Sequence, residues 1–178
     1  MNIEYLKLIT EERGDSAPYG CLMALVGGSP AQKILNFNQR IIPDNILFVK
    51  GTEYGREKEP HITIKYGFYP DPNEIQIRAM LNGVKPFYVK ISKLSLFDTN
   101  PNYDVVKFDV ESSILSELHD KCNAFPNRDE HPIYHPHLTL AYVKKGSFSL
   151  VYDNMSLSIP VRTVYYSPAV GEKSYFNL

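Results

Sequence analysis

Residues 60–66 read PHITIKY, and residues 136–142 read PHLTLAY. Both stretches place Pro, His, an aliphatic residue, Thr and another aliphatic residue in the same order, and both end in Tyr. Alternation of aliphatic and polar residues favours a half-buried β-strand, in which successive side chains point to opposite faces. The sequence therefore predicts two matching strands.

This alternation assigns each side chain of the two strands to a face. One face of the first strand is expected to hold His61, Thr63 and Lys65, and the other Ile62, Ile64 and Tyr66. The corresponding faces of the second strand are expected to hold His137, Thr139 and Ala141, and Leu138, Leu140 and Tyr142. With the apolar faces in the core, each strand presents an imidazole and a hydroxyl side by side.

Composition limits the class of protein. The chain has 178 residues, 43% of them hydrophobic, so it can bury a substantial core as one domain or as two small lobes that share an interface. The formal net charge of −1 argues against nonspecific coating of a long nucleic acid, which needs many cations. No uncharged apolar stretch approaches about 18 residues, so no membrane span is expected. Cys21 and Cys122 are expected to be reduced thiols of a cytoplasmic protein.

The rest of the chain predicts an α+β organisation of strand–helix–strand units. Strands are expected at 19–26, 46–50, 87–97 and 103–110, with further strand material at 150–168. Helices are expected to begin at a Ser29 cap, at an Asp71 cap in the sequence DPNE, and at a Ser112/Ser113 cap. The predicted apolar face of the first helix consists of Ile34, Leu35, Asn38, Ile41 and Ile42.

The paired histidines suit cleavage of a phosphodiester by in-line attack. That reaction needs a base on the entering side and an acid on the leaving side, and histidine can take either form near neutral pH. The threonine hydroxyls can donate hydrogen bonds to the nonbridging phosphate oxygens. Neither a metal nor a cofactor is needed for this scheme, and the sequence does not decide which histidine is the base.

PHITI and PHLTL resemble the two His-x-Thr motifs of the 2H phosphoesterase superfamily, which includes 2′,5′ RNA ligase-like and cyclic phosphodiesterase proteins. The resemblance implies one domain over 1–178 with two pseudo-symmetric lobes, whose two antiparallel sheets surround a central cleft. It implies that His61 and His137 are the acid and base, and that Thr63 and Thr139 bind the phosphate. Residues 54–68 and the strand YGCLMAL resemble the phage anti-CBASS nucleases, which degrade cyclic oligonucleotide messengers of bacterial immunity.

The narrower resemblance implies a small cyclic oligonucleotide as substrate and a stacking surface for its bases. Candidate base-binding residues are Tyr19, Glu172, Tyr175 and Phe176, and each is equally compatible with an ordinary structural role. Lys65 is either a phosphate ligand on the catalytic face or a lysine exposed at the rim. No long nucleic acid or membrane partner is expected, and the oligomeric state stays open.

Three alternatives remain open. An enzyme of the same family can act on 2′,3′-cyclic or 2′,5′-linked RNA ends, or the fold can serve as a noncatalytic nucleotide-binding module. A zinc site built from His131, His135 and His137 would imply a metal-dependent hydrolase, although no HExxH motif accompanies these residues. Catalysis by a Ser nucleophile is weakly supported, because the sequence has no GxSxG motif.

Overall fold

A computed structural model of the chain describes residues 19–51, 54–128, 133–150 and 155–178. The helices and strands follow one another as β1 (Gly20–Leu25), α1 (Gly28–Ile41), β2 (His61–Phe68), α2 (Glu74–Leu81), β3 (Phe87–Phe97), β4 (Tyr103–Glu111), α3 (Ser113–Cys122), β5 (His137–Lys144), β6 (Leu157–Val161), β7 (Thr163–Ser167) and β8 (Ser174–Asn177). The α+β class expected from the sequence is confirmed.

Two four-stranded antiparallel sheets divide the strands between two lobes. The strand order is β2-β1-β7-β8 in the first sheet and β5-β4-β3-β6 in the second. Each His-x-Thr stretch therefore forms an edge strand of its sheet, and the two edge strands contact each other. This arrangement confirms the predicted pair of sheets and brings the repeated segments together at the boundary between the lobes.

The aliphatic residues of both repeats lie in the core, as alternation predicts. Four side chains are 0% exposed: Ile62, Ile64, Leu138 and Leu140. Tyr66 departs from the prediction, since it is 39% exposed and contacts the ring of Tyr19 edge-on. The strict alternation of β2 is thus lost after its fourth residue.

Helix α1 begins earlier than the sequence predicts and buries a slightly different face. Its N-cap is Gly27 rather than Ser29, and its buried side chains are Ile34, Phe37 and Asn38. Phe37, which was not assigned to the apolar face, packs its ring 5.3 Å from that of Phe108 in β4. The helix therefore packs against the second sheet through an aromatic contact.

The predicted cap of α2 is wrong, and the residue concerned has another partner. Asn73 is the N-cap and forms a capping box with Gln76. Asp71 instead accepts hydrogen bonds from the Tyr166 hydroxyl and the Ala169 backbone N–H. The carboxylate thus ties the start of α2 to β7, a contact between residues far apart in sequence. The predicted Ser112 cap of α3 is confirmed, since its hydroxyl accepts from the Leu115 N–H.

The strand predicted at 46–50 is wrong. Asp44–Ile46 form a turn of 3₁₀-helix, and the following residues add to the free edge of β5. Leu47 forms a bridge with Val143, and the Phe48 N–H donates to the Tyr142 carbonyl at 3.0 Å. The apolar residues of this segment therefore cover an existing sheet edge.

None of the helices in the described ranges is long and apolar enough to cross a membrane.

Candidate active site

His61 and His137 occupy equivalent positions at the start of β2 and β5. The Nδ1 atom of His61 lies 2.8 Å from the Glu59 carbonyl oxygen, and that of His137 lies 2.7 Å from the His135 carbonyl oxygen. Because a carbonyl oxygen only accepts hydrogen bonds, Nδ1 carries the proton in both rings. The other nitrogen, Nε2, is left for chemistry in each. No pattern in the sequence predicts this shared backbone contact.

A second shared feature follows the threonine of each strand. The register of β2 against β1 shifts between Thr63 and Lys65, and that of β5 against β4 shifts between Thr139 and Ala141. A β-bulge redirects the side chains beside it and recurs next to active sites. Both strands therefore keep the His and Thr in alternation and lose it immediately afterwards.

The two threonines have different neighbours. The Thr63 hydroxyl shares a hydrogen bond with the Cys21 thiol on β1. Burial raises the pKa of Cys21 to about 12 and that of Cys122 to about 12, so both thiols stay protonated at neutral pH. Thr139 instead lies opposite Lys107 on β4. Both cysteines are free thiols, and their high pKa makes them unsuitable as nucleophiles.

The carboxylate of Glu57 lies beside the His61 ring. Oε2 of Glu57 lies 3.9 Å from His61 Nδ1, while its Oε1 accepts from the backbone N–H groups of Lys58 and Glu59 at 2.8 Å each. This orders the turn whose Glu59 carbonyl holds the imidazole. The Glu59 carboxylate in turn binds the Lys173 ammonium.

An aromatic ring completes the surroundings of His61. The Tyr165 ring on β7 contacts the imidazole edge-on, with 6.4 Å between ring centroids. The Lys173 ammonium lies 4.8 Å from the centre of the same tyrosine ring. His61 therefore belongs to a module of imidazole, aromatic ring, lysine and carboxylate.

The His137 ring has the same three kinds of partner, an aromatic ring, a lysine and a carboxylate, but from different strands. The Phe97 ring on β3 contacts it edge-on at 4.8 Å, and the Lys107 ammonium lies 4.2 Å from the centre of that phenyl ring. Lys107 binds the Asp109 carboxylate and donates to the Ser95 hydroxyl at 2.8 Å. Lys107, Asp109 and Phe97 could not be predicted as site residues, since nothing in the strand pattern distinguishes them from ordinary sheet residues.

The charges near His137 favour its neutral form. Burial lowers the pKa of His137 below its ordinary value, and the positive charges of Lys107 and His61 lower it further. The hydrogen bond to the His135 carbonyl and the charge of Asp109 act in the opposite direction but do not outweigh these effects. The influence of His61 also shows that the two imidazoles lie close enough to interact electrostatically.

Each repeat strand has its free edge covered by the segment that precedes the other repeat. On β5, the Glu57 N–H donates to the Leu140 carbonyl at 2.8 Å, and the Tyr142 N–H donates to the Gly55 carbonyl at 2.8 Å. On β2, the Tyr134 hydroxyl donates to the Thr63 carbonyl at 2.8 Å. The two His-x-Thr strands are therefore fixed relative to each other by reciprocal contacts across the lobes.

The structure places Lys65 and Tyr19 away from the predicted roles. Lys65 is 3% exposed, and its ammonium donates to Asn123 Oδ1 at 2.9 Å, so the prediction of an exposed rim lysine is wrong. Tyr19 lies at the opposite end of β1 from Leu25, the residue that pairs with His61. At about 3.3 Å per residue this separation is roughly 20 Å. Tyr19 is therefore not brought together with the histidines.

The three C-terminal candidate residues lie in different environments. Tyr175 is 50% exposed, and its ring lies 5.5 Å from that of Tyr165, beside His61. Phe176 is 3% exposed and packs in the core under Arg78, so it cannot stack on a base there. Its position follows from alternation along β8, which sends adjacent residues to opposite faces. Glu172 is exposed in the β7–β8 connection, with no bond to the site in the described residues.

The metal alternative finds no support among the residues that the structure describes. No group of three or more His, Cys, Asp or Glu side chains within those ranges is placed to hold an ion. His131 lies outside the described residues, and the His135 carbonyl binds His137 Nδ1. His135 and His137 thus contact each other through the backbone carbonyl of His135.

Solved structures of other proteins share the fold that carries this site. E. coli LigT complexed with 3′-AMP has a TM-score of 0.59 at 14% identity, over 89% of this chain and 94% of that chain. Usb1 of Kluyveromyces marxianus has a TM-score of 0.57 at 9% identity, over 93% of this chain and 100% of that chain. The two sheets with their paired edge strands thus define a LigT-like fold, and at these identities the likeness shows the fold alone.

Sequence comparisons give the family. The named relative "Putative phosphoesterase OB1230" of Oceanobacillus iheyensis is 31% identical over 90 residues, which cover 46% of this chain and 51% of that protein. The match therefore spans about half the length of that relative. A family model described as the 2′-5′ RNA ligase superfamily matches residues 48–153. The chain belongs to this superfamily, whose model spans both His-x-Thr strands.

Proposed function

We propose that this protein is a metal-independent phosphodiesterase in which His61 and His137 act as acid and base on one phosphate. The carrying observation is the pair of imidazoles at the starts of two contacting edge strands, each with Nδ1 bonded to a carbonyl. This leaves the Nε2 atoms as the proton-transferring nitrogens. In this proposal the two lobes act as one domain over residues 1–178.

The surroundings of the rings suggest their separate roles. The lowered pKa of His137 suits a base, which must be neutral to accept the proton of the attacking group. His61, with the Glu57 carboxylate 3.9 Å from its ring, then protonates the leaving oxygen. Thr63 and Thr139 donate to the nonbridging oxygens as charge develops. Each acid or base step contributes about 10²- to 10⁴-fold to the rate.

A small cyclic di- or trinucleotide is the proposed substrate, and evasion of CBASS immunity the proposed role. Support comes from the resemblance of residues 54–68 to the anti-CBASS nucleases and from the half-exposed Tyr175, whose ring contacts that of Tyr165, the aromatic neighbour of His61. A tyrosine ring at that place offers a base a stacking surface. Small nucleotides also occupy related structures, since LigT is described with 3′-AMP and Usb1 with uridine monophosphate.

Action on RNA ends is the second candidate function. It is favoured by membership of the 2′-5′ RNA ligase superfamily and by the fold shared with LigT and Usb1. The same pair of histidines would serve a 2′,3′-cyclic phosphate or a 2′,5′ linkage. The two candidates therefore differ in the substrate beyond the reacting phosphate.

A substrate panel in the presence of EDTA tests the proposal. The panel contains cyclic dinucleotides, cyclic trinucleotides, 2′,3′-cyclic nucleotides and 2′,5′-linked RNA, with the products identified by mass. We expect hydrolysis of a cyclic di- or trinucleotide at a rate unaffected by EDTA. Cleavage of RNA ends alone would establish the second candidate, and loss of all turnover on chelation would overturn the metal-independent mechanism.

A further inference from the structure

Three strands of the second sheet place charged residues beside the second repeat. Lys107 on β4 lies opposite Thr139 on one side and Ser95 on the other, while Asp109 lies opposite His137. Directly opposed residues in an antiparallel sheet are close neighbours. The ion pair of Lys107 and Asp109 therefore lies on β4, directly beside the strand that carries His137 and Thr139.

The Lys107 ammonium is buried and held in one place. The residue is 5% exposed, and its ammonium contacts three groups: the Asp109 carboxylate, the Ser95 hydroxyl and the face of Phe97. Hydrogen bonds from Lys107 and Ser95 hold the pKa of Asp109 below its ordinary value, although burial alone would raise it. The Asp109 carboxyl is therefore charged at neutral pH, and a buried charge is screened less than an exposed one.

Phe97 joins this pair to His137. Its ring contacts the imidazole edge-on, with an interplanar angle of 84°. The Lys107 ammonium lies over the face of the same phenyl ring. The charged and titratable groups that face the imidazole are, in the described residues, Lys107 and Asp109 on β4 and His61 on β2, with Lys93 on β3 acting on Asp109. Lys107 and His61 oppose a proton on His137, and Asp109 favours one.

The matching module around His61 has the opposite balance of nearby charges. There the lysine is Lys173, whose side chain is 39% exposed and whose ammonium binds Glu59, with the Glu57 carboxylate as a further neighbour. An exposed ammonium acts weakly through solvent. The same four kinds of group thus place a buried cation near the His137 imidazole and the Glu57 carboxylate near the His61 imidazole.

We propose that Lys107, held against Phe97 by Asp109 and Ser95, is a positioning residue that keeps the His137 imidazole in its uncharged, proton-accepting form. Lys107 acts through the electrostatic field at the ring and touches no substrate in this scheme. The inference rests on the proposed function only for the use of the neutral ring in catalysis, since the charge state itself is a property of the free protein.

The test is an NMR titration of both imidazoles in the substrate-free protein, with Lys107→Met and Asp109→Asn compared with the parent. We expect the His137 ring to titrate at higher pH in Lys107→Met and at lower pH in Asp109→Asn. Lys90→Met is the matched control, because Lys90 pairs with Glu111 across the same two strands at the exposed end. We expect no movement of His137 in the control.

Opposite signs separate a charge effect from loss of structure. If Lys107 and Asp109 had a merely structural role, the His137 titration would shift in the same direction in both variants or in neither. Either result would overturn the proposal. If Lys107→Met fails to fold, Asp109→Asn still tests the sign, and Lys107→Arg is expected to keep the parental titration. Failure of the proposed function appears differently, as an inactive parent whose imidazoles nevertheless titrate as expected.

Activity gives a second readout once a substrate is known. In Lys107→Met, kcat/KM at pH 6 relative to that at pH 8 is expected to fall by about 3-fold or more, because a base protonated at higher pH loses activity on the acid side. The kcat/KM ratio of Asp109→Asn is expected to rise. A rise in KM with an unchanged pH profile in Lys107→Met would show that the ammonium binds substrate directly, and would overturn the positioning role.

Discussion

Each half of the molecule contains a His-x-Thr strand, a bulge after its threonine and a backbone carbonyl bonded to its histidine. The two halves differ in the groups that cover the free edge of that strand and in the charged residues near the histidine. Near its His-x-Thr end, the free edge of the first repeat, β2, is covered by the side chains of Tyr134 and His119, which bond to the carbonyls of Thr63 and Ile64, while the backbone of residues 126–128 covers its other end. The second repeat, β5, is covered mainly by backbone groups of the segment before β2. A duplicated scaffold can therefore become asymmetric without changing the His-x-Thr motif itself.

The largest expected effect comes from the histidines, which the comparison treats as equally essential. His61→Gln and His137→Gln are each expected to lower kcat by about 10²- to 10⁴-fold, because each removes one proton transfer. Steady-state kinetics on the substrate found with the panel measures the loss. Both rings are half-buried at strand starts, so thermal melting is expected to stay near that of the parent. One variant with parental kcat would show that the two halves do not share one reaction.

Tyr175 tests the aromatic surroundings of the first half, because it is half-exposed and its ring lies beside that of Tyr165, the residue that corresponds to Phe97 in the other half. Tyr175→Ala is expected to weaken substrate binding by about 1–3 kcal/mol if a base stacks there. The measurement is Kd by calorimetry with an inactive His61→Gln background. Tyr88→Ala, which removes an exposed ring from β3, is the matched control. Equal affinities in both variants would contradict the stacking role.

Arg56 tests the backbone cover of β5. Its guanidinium donates to the Asn38 carbonyl, Asn38 Oδ1 and the Ile42 carbonyl, and forms an ion pair with Asp44 at 2.7 Å. Arg56→Met is expected to lower the free energy of unfolding by about 2–3 kcal/mol, since several acceptors lose a charged donor. Urea denaturation gives the value. Arg78→Met breaks an exposed ion pair with Glu74 and is expected to cost less than about 1 kcal/mol. Similar losses in both would show that the cover contributes little.

Tyr134 tests the side-chain cover of β2. Tyr134→Phe keeps the ring stacked on His119 at 4.2 Å but removes the hydrogen bond to the Thr63 carbonyl. The expected cost is about 1–2 kcal/mol by urea denaturation, because the carbonyl loses its donor. Tyr88→Phe removes an exposed hydroxyl and serves as the control. A cost as large as that of Arg56→Met would erase the proposed difference between the two covers.

The smallest expected effect is the dependence of stability on pH. The native pKa of His137 lies below the ordinary value of about 6.5, so the unfolded chain binds a proton there more readily than the native protein does. The stabilisation that His137 contributes is therefore fully present above about pH 6.5 and is lost as the pH falls through the native pKa. Urea denaturation from pH 7.5 to 5 should show a gentler decline in His137→Gln than in the parent. Parallel curves would contradict the lowered pKa.

Much of the fold and part of the site could be predicted from local pattern. Alternation identified both repeat strands and their buried aliphatic faces, and capping chemistry located α3 at Ser112. It failed at Lys65 and Tyr66, because the bulge after Thr63 shifts the register that alternation assumes. Lys65 and Ala141, the obvious difference between the two repeats, are both buried, and the Lys65 ammonium binds the Asn123 side chain.

The sequence by itself determined the pair of His-x-Thr strands, since period-two alternation and side-chain chemistry are local properties of the chain. Only the tertiary structure decided which groups surround each imidazole. Lys107 reaches His137 through Phe97 on another strand, and Lys173 reaches Glu59 from the far end of the chain. Such contacts depend on strand order and register across the sheets, and residues far apart in sequence carry no local pattern that announces their meeting.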